Sequence, residues 1–125
     1  MQLVSAIQSF QEQPKQQGNI TLSIIVPVYN EQAMLAMFHH ELAQTLALLP
    51  KEKIEVIYVN DGSTDNSWRI MQSLPPIHAN IELVNLSRNF GKEAAMTAGV
   101  DLCRGQSAML LDADLQDPPN LIPQM

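Results

Sequence analysis

A chain of 125 residues that is 46% hydrophobic and 16% charged is long enough for one compact domain and too apolar for a disordered acidic tail. Seven Lys and Arg against 13 Asp and Glu leave a formal charge of −6, which excludes the clustered positive surface that a nucleic-acid partner needs. With a single cysteine, Cys103, and no apolar run near the roughly 18 to 20 residues of a membrane span, the chain reads as a soluble module of a reducing compartment.

Residues 1–19 hold six Gln and no sustained apolar period, and read as a flexible extension before a domain over residues 20–125. The run Leu22–Val28 is continuously apolar and β-rich, as in a strand buried on both faces. From Glu31 onward, Leu35, Phe38, Leu42, Leu46 and Leu49 recur at spacings of three and four, laying one apolar stripe along a helix that Pro50 ends. The cycle then repeats: a strand at 54–59, a turn at 60–64 and a helix at 65–74 stopped by Pro75 and Pro76. A strand at 81–86 follows, then a loop at 87–91 and a helix at 92–104 with Gly105 as its C-terminal cap. A fourth strand at 107–111 leads into a loop at 112–118, and Pro119 suits the first turn of another helix. This alternation predicts an α/β fold with a mainly parallel sheet flanked by helices. The pattern stops inside an unfinished element, so the chain is expected to be the first part of a larger, truncated domain.

Right-handed crossovers put every strand-to-helix loop at one edge of such a sheet, and ligands bind beyond the carboxyl ends of the strands. The polar residues with chemical potential lie in those loops. Asn30 and Glu31 follow the first strand, Asp61 and Asp65 the second, and Arg88, Asn89 and Lys92 the third; Asp112, Asp114, Gln116 and Asp117 follow the fourth. Four loops are therefore expected to converge on one site.

Asp112-Ala113-Asp114 ends an apolar strand with two carboxylates that can reach one cation, and with Gln116 they offer hard oxygen donors suited to Mg²⁺ or Mn²⁺ shared with substrate phosphates. The plainer reading is that Asp112 or Asp117 caps the following helix. An EF-hand is excluded, because counting from Asp112 the sixth and twelfth positions are Asp117 and Pro123 rather than Gly and Glu. In the stretch from Asn60 to Asp65, Gly62 provides a turn and Ser63, Thr64 or Asp65 a helix cap. Asp61 at the strand end can accept from the imide N–H of uracil, from the N1–H and 2-amino group of guanine, or from a sugar hydroxyl. Arg88 and Lys92 can neutralise a diphosphate, or Lys92 can simply pair with acidic neighbours at a helix start.

Taken together, Ser23 to Glu31, Asn60 to Asp65, Arg88-Asn89-Phe90-Gly91-Lys92 and Asp112 to Pro119 resemble the family 2 glycosyltransferases of the GT-A fold. Within that family the text is similar to polyprenyl-phosphate sugar transferases such as dolichol-phosphate mannosyltransferase and bactoprenol glucosyltransferase. The resemblance covers residues 21–125, the Rossmann-like nucleotide-binding half of such a domain. It implies that Pro27, Tyr29 and Glu31 line a nucleotide pocket, that Asp61 contacts the base, and that Arg88 and Lys92 lie near the nucleotide and diphosphate. Asp112 would face the ribose and donor sugar, and Asp114 and Gln116 would hold the divalent metal, making Asp112 and Asp114 the catalytic pair. The implied reaction inverts the anomeric carbon as sugar passes from a UDP- or GDP-linked donor to polyprenyl phosphate. It would take place at the cytoplasmic face of the plasma membrane, with membrane contact only through parts beyond Met125 and with room for a homo-oligomer. The chain alone is expected to be inactive.

Rival readings fare worse on the residues. Neither a Gly-x-Gly-x-x-Gly nor a P-loop follows the first strand, where Pro27-Val28-Tyr29-Asn30-Glu31 stands. A receiver-like Mg²⁺-binding regulatory domain would want paired acids there, and only Glu31 is present. A nucleotide-sugar pyrophosphorylase would open on a Gly-rich loop, and a family 2 transferase with a sugar hydroxyl acceptor stays open beside the lipid acceptor. His39-His40 reads as a polar helix face, Cys103 as a packed small hydrophobe and Trp68 as a residue packed on the sheet, while Phe90 can stack on a ligand.

Overall fold

The computed structural model describes residues 7–10, 20–49 and 53–114. Their elements run β1 (Ile7–Phe10), β2 (Leu22–Val28), α1 (Leu35–Leu46), β3 (Ile54–Asn60), α2 (Ser67–Gln72), β4 (Asn80–Leu86), α3 (Lys92–Leu102) and β5 (Ser107–Leu110). The strands form one sheet in the order β1-β4-β3-β2-β5. The four strands β2 to β5 are parallel, in a register that sets Ile25 beside Ile57 and Leu110. This is the α/β, mainly parallel architecture expected from the alternation of elements.

Within the stretch read as an extension, residues 7–10 form a strand. Ile7–Phe10 pairs antiparallel with β4, setting Ile7 beside Leu86 and Phe10 beside Leu83. A four-residue segment among glutamines carries too short a period to be read as a strand; the open edge of β4 supplies the partner.

Alternation along each strand divides the core into two layers. Ile24, Val26 and Val28 of β2, with Val56 and Tyr58 of β3, pack against Leu35, Phe38, Leu42 and Leu46 of α1 and Met71 of α2. On the opposite face Ile57, Val59, Val84 and Leu86 meet Ala95 and Ala98 of α3. The small residues of α3 let it lie close to the sheet: a Cβ on Gly99 would stand 2.4 Å from Cγ2 of Ile25.

α1 starts at Leu35 rather than Glu31, and side chains of the next loop accept from the amides before it. The Glu31 N–H donates to Ser67 Oγ at 2.9 Å and that of Gln32 to Asp65 Oδ2 at 3.2 Å. The helix face read as polar is also corrected. His40 is exposed, but His39 is buried between Tyr58, whose hydroxyl lies 2.7 Å from Nδ1, and the Pro75 carbonyl, 2.8 Å from Nε2. The carbonyl can only accept, so Nε2 carries the hydrogen and Nδ1 of the neutral ring accepts from the Tyr58 hydroxyl. Burial holds the His39 pKa below its usual value, with the Pro75 hydrogen bond opposing, and burial also raises that of Tyr58.

At the amino end of the sheet, away from the ligand edge, Glu55 is buried within β3. Its carboxylate accepts from Ser23 Oγ at 2.5 Å, from the Arg104 N–H at 2.6 Å and from Arg104 Nε at 3.2 Å, and so ties the α3–β5 turn to the sheet. Trp68 packs against the first core layer and Cys103 against the second, as expected.

Candidate active site

The carboxyl edge of the sheet holds a cleft of about 390 Å³, and the loops after β2, β3, β4 and β5 all contribute to its walls. Its site lies where the strand order reverses, since β2 leads outward to β3 on one side and to β5 on the other. Of the residues singled out in the sequence, Pro27, Tyr29, Glu31, Asp61, Lys92, Asp112 and Asp114 line it. Val28, Asn89 and Gly91 line it as well. Gly91 had a readable signal, a glycine immediately before a helix, and it adopts φ 102°, which favours glycine.

The first two loops are laced together by side-chain hydrogen bonds. Asn30, at φ 52°, accepts at Oδ1 from the Thr64 N–H at 2.8 Å, while its own N–H donates to Ser63 Oγ at 2.9 Å. Asp65 accepts at Oδ1 from the Ser67 N–H at 2.9 Å, one residue ahead of the α2 N-cap, Asn66, which makes no side-chain cap bond. The second and third loops are joined by Asp61. Its carboxylate accepts from the Phe90 N–H at 2.8 Å, the Gly91 N–H at 3.1 Å and the Asn89 amide at 3.3 Å.

Charge is arranged across the cleft. Lys92 Nζ lies 2.6 Å from Asp112 Oδ1 at the start of α3. Glu31 is raised above the usual carboxyl range, first by desolvation and then by the charges of Asp114, Asp112 and Asp65. The rim is thus a concentration of negative potential met by one ammonium from α3.

Arg88 does not reach this cleft. It is exposed, its guanidinium lies 4.3 Å over the Phe90 ring centroid, and Phe90 packs against the α3 layer of the core. The short loop turns its side chain onto its own aromatic neighbour. Gln116 and Asp117 lie outside the described residues.

Asp112 and Asp114 fit a divalent cation in the manner of Mg²⁺, which takes one or two carboxylates and completes its shell with water and substrate phosphates. Such a cation would offset the charges of Asp114 and Asp112, which after desolvation raise the Glu31 pKa. Among the described residues no group of three or more His, Cys, Asp or Glu can hold a metal by itself, so a cation here would depend on further donors from the substrate or from Gln116.

The model of the family described as "Glycosyl transferase family 2" matches residues 23–125. The chain belongs to glycosyl transferase family 2. The chain is 41% identical over 105 residues to an undecaprenyl-phosphate 4-deoxy-4-formamido-L-arabinose transferase of Pseudomonas fluorescens (strain SBW25), covering 83% of this chain and 30% of the relative. It is 36% identical over 104 residues to the bactoprenol glucosyl transferase of Shigella phage SfV, covering 83% and 34%. The chain thus spans about a third of the length of these curated relatives. Its GT-A fold is similar to that in a crystal structure of S. aureus TarS 1-349, with TM-score 0.52 and 24% identity, covering 75% of this chain and 27% of that one. Among the described residues, no helix is long and apolar enough to cross a membrane.

Proposed function

We propose that the chain forms the donor-binding part of an inverting transferase that moves a sugar from a UDP- or GDP-linked donor to polyprenyl phosphate with Mg²⁺ or Mn²⁺. The observation that carries this reading is the rim of the cleft, where Lys92 sits 2.6 Å from Asp112 with Asp114 and Glu31 beside it at the switch point of the sheet. Tyr29, about half exposed at 47%, offers an aromatic face to a base. The Lys92 ammonium, at the positive end of the α3 dipole, suits a diphosphate. Asp112 and Asp114, with Gln116, would hold the divalent cation. Bound there, the cation supplies Lewis-acid neutralisation of charge on the nucleoside diphosphate leaving group. Lys92 would supply the same kind of stabilisation from the protein.

A polyprenyl phosphate brings an oxygen that is already ionised, so its attack asks less of a general base than a sugar hydroxyl does. The lipid acceptor, and with it a working position at the cytoplasmic face of the plasma membrane, is drawn from the relatives named for bactoprenol and undecaprenyl phosphate. Since the chain spans a third of such relatives, it is expected to bind donor without transferring sugar on its own.

Calorimetry with UDP- and GDP-sugars, with and without Mg²⁺, tests the donor and metal together. Binding that needs Mg²⁺ and disappears in Asp114→Asn, with the circular dichroism spectrum unchanged, is the expected result. Binding indifferent to both Mg²⁺ and Asp114 would overturn the metal assignment. Transfer of labelled sugar to undecaprenyl phosphate, and not to soluble sugars, by a protein carrying this domain tests the acceptor.

A further inference from the structure

β5 delivers Asp112 and Asp114 to the cleft, yet its own side chains hold it weakly. It is four residues long, Ser107, Ala108 and Leu110 are exposed, and among the described residues its one strand neighbour is β2. Burial decides which residues just beyond it turn inward: Leu111 and Ala113 belong to the first core layer, and Asp112 and Asp114 line the cleft. That pattern repeats every two residues. A slip of two along β2 would present Met109 and Leu111 to the core in place of Leu111 and Ala113, and would displace both carboxylates by about 6.6 Å.

What removes that freedom lies at the other end of the sheet. Glu55, 1% exposed in β3, accepts from the Arg104 N–H and Nε and from the Ser23 hydroxyl. Ser23 Oγ in turn accepts from the Gly105 N–H at 2.8 Å, so β3, β2 and the α3–β5 turn share one chain of bonds. The turn sits hard against β2: a Cβ on Gly105 would stand 2.6 Å from Ser23 Oγ and 2.7 Å from the Ser23 nitrogen. Directly after it, the Gln106 and Ser107 N–H groups donate to the Ile20 and Thr21 carbonyls at 3.1 Å, and the pairing opens with Ser107 beside Leu22. A backbone ladder can form equally well after a slip of two residues. The Glu55 carboxylate stands at one place only, and so selects one register.

We infer that Glu55, acting with Ser23, is a positioning residue for the two carboxylates at the cleft: it fixes how far β5 sits along β2, and thereby where Asp112 and Asp114 stand. The inference rests on the reading of those carboxylates as ligands of the divalent cation. Clamp and carboxylates are about 16 Å apart, five residues of extended chain from Ser107 to Asp112, so Glu55 touches neither cation nor donor. Loss of the clamp would loosen the cation's ligands and leave the walls built by the loops after β2 and β3 in place.

The test is Glu55→Gln, which keeps the size of the side chain but turns one acceptor into a donor. Two amides on opposite sides of β2 report the effect: the Leu111 N–H, which donates to the Ile25 carbonyl at 3.0 Å, and the Asp61 N–H, which donates to that of Val28 at 2.8 Å. Hydrogen exchange should speed up about tenfold more at Leu111 than at Asp61, the weight of one charge-assisted hydrogen bond. Mn²⁺ affinity in the presence of UDP or GDP, read from the electron spin resonance of the free ion, should fall about tenfold, while affinity for the same nucleotide without metal stays within about twofold. Gly105→Ala, which lifts the turn with Glu55 intact, should give the same pattern, and the two changes together should cost less than the product of their separate effects. Equal acceleration at Leu111 and Asp61, a loss of metal-free affinity as large as that of Mn²⁺, or losses that multiply would each overturn the inference. If wild type bound neither UDP nor GDP with Mn²⁺, the proposed function would fall, yet the exchange ratio would still decide whether Glu55 holds β5. Should Glu55→Gln not fold, Ser23→Ala removes the bridging hydroxyl and should speed exchange about threefold more at Leu111 than at Asp61; a ratio equal to wild type would count against the clamp.

Discussion

Single side chains at the cleft show how far residue type predicts role. Glu31 is placed by sequence at the carboxyl end of β2 and the structure puts it on the rim, but its raised pKa comes first from desolvation and then from Asp114 and Asp112, more than 80 positions away. Its folded pKa lies above 4.5, so the stability linked to its protonated form is present below that value and is lost as pH rises through the folded pKa. Glu31→Gln should therefore raise the urea midpoint at pH 7, and the gain should shrink as pH falls below 4.5. A chain stabilised by this change while losing donor affinity would mark a site that trades stability for binding. Gly62 is legible as a turn residue, but not as a contact point. At φ +67°, with Asn89 and Arg88 backbone atoms against it, Gly62→Ala should cost about 1–3 kcal/mol in denaturant unfolding, and exchange at 88–91 should rise with it.

At the scale of elements, helices and strands came from periodicity and were close to correct, with errors at the ends where other elements take the backbone amides. α1 starts at Leu35, after amides that donate to Ser67 and Asp65, and α2 is reduced to Ser67–Gln72. The buried His39 bridges α1, Tyr58 of β3 and Pro75 after α2. With its folded pKa depressed, the unfolded chain binds the proton more readily, so the stability it contributes is present above 6.5 and lost as pH falls through the folded value. Urea midpoints measured from pH 8 to pH 5 should fall in wild type and in His40→Gln, and fall less steeply in His39→Gln. Glu55 joins β3 to β2 and to the α3–β5 turn in the same way. Removing it in Glu55→Ala leaves the Arg104 N–H and Ser23 hydroxyl without their acceptor, and should destabilise by about 3–5 kcal/mol.

For the whole molecule, the sheet order decides what meets what. β2 stands between β3 and β5, so the loop after the first parallel strand is flanked by those carrying Asp61 and Asp112. A ligand bridging these loops should stabilise all of them at once. A nucleoside diphosphate with Mg²⁺ at 100 times its dissociation constant should add about 2.7 kcal/mol, seen as a thermal shift of several degrees. Chelation of the metal, or Asp114→Asn, should remove most of that shift.

The sequence by itself determined the alternation of strands and helices, the family, and which loops carry the chemistry, because hydrophobic period and short polar motifs are local properties of the chain. It could not reveal that Ile7–Phe10 completes the edge of β4, that His39 is enclosed, that Arg88 turns onto Phe90, or that Asp61 faces the Phe90 and Gly91 amides. Those outcomes depend on which donor lies within 3 Å or so of which acceptor, and that is settled only when distant segments are brought side by side by the sheet.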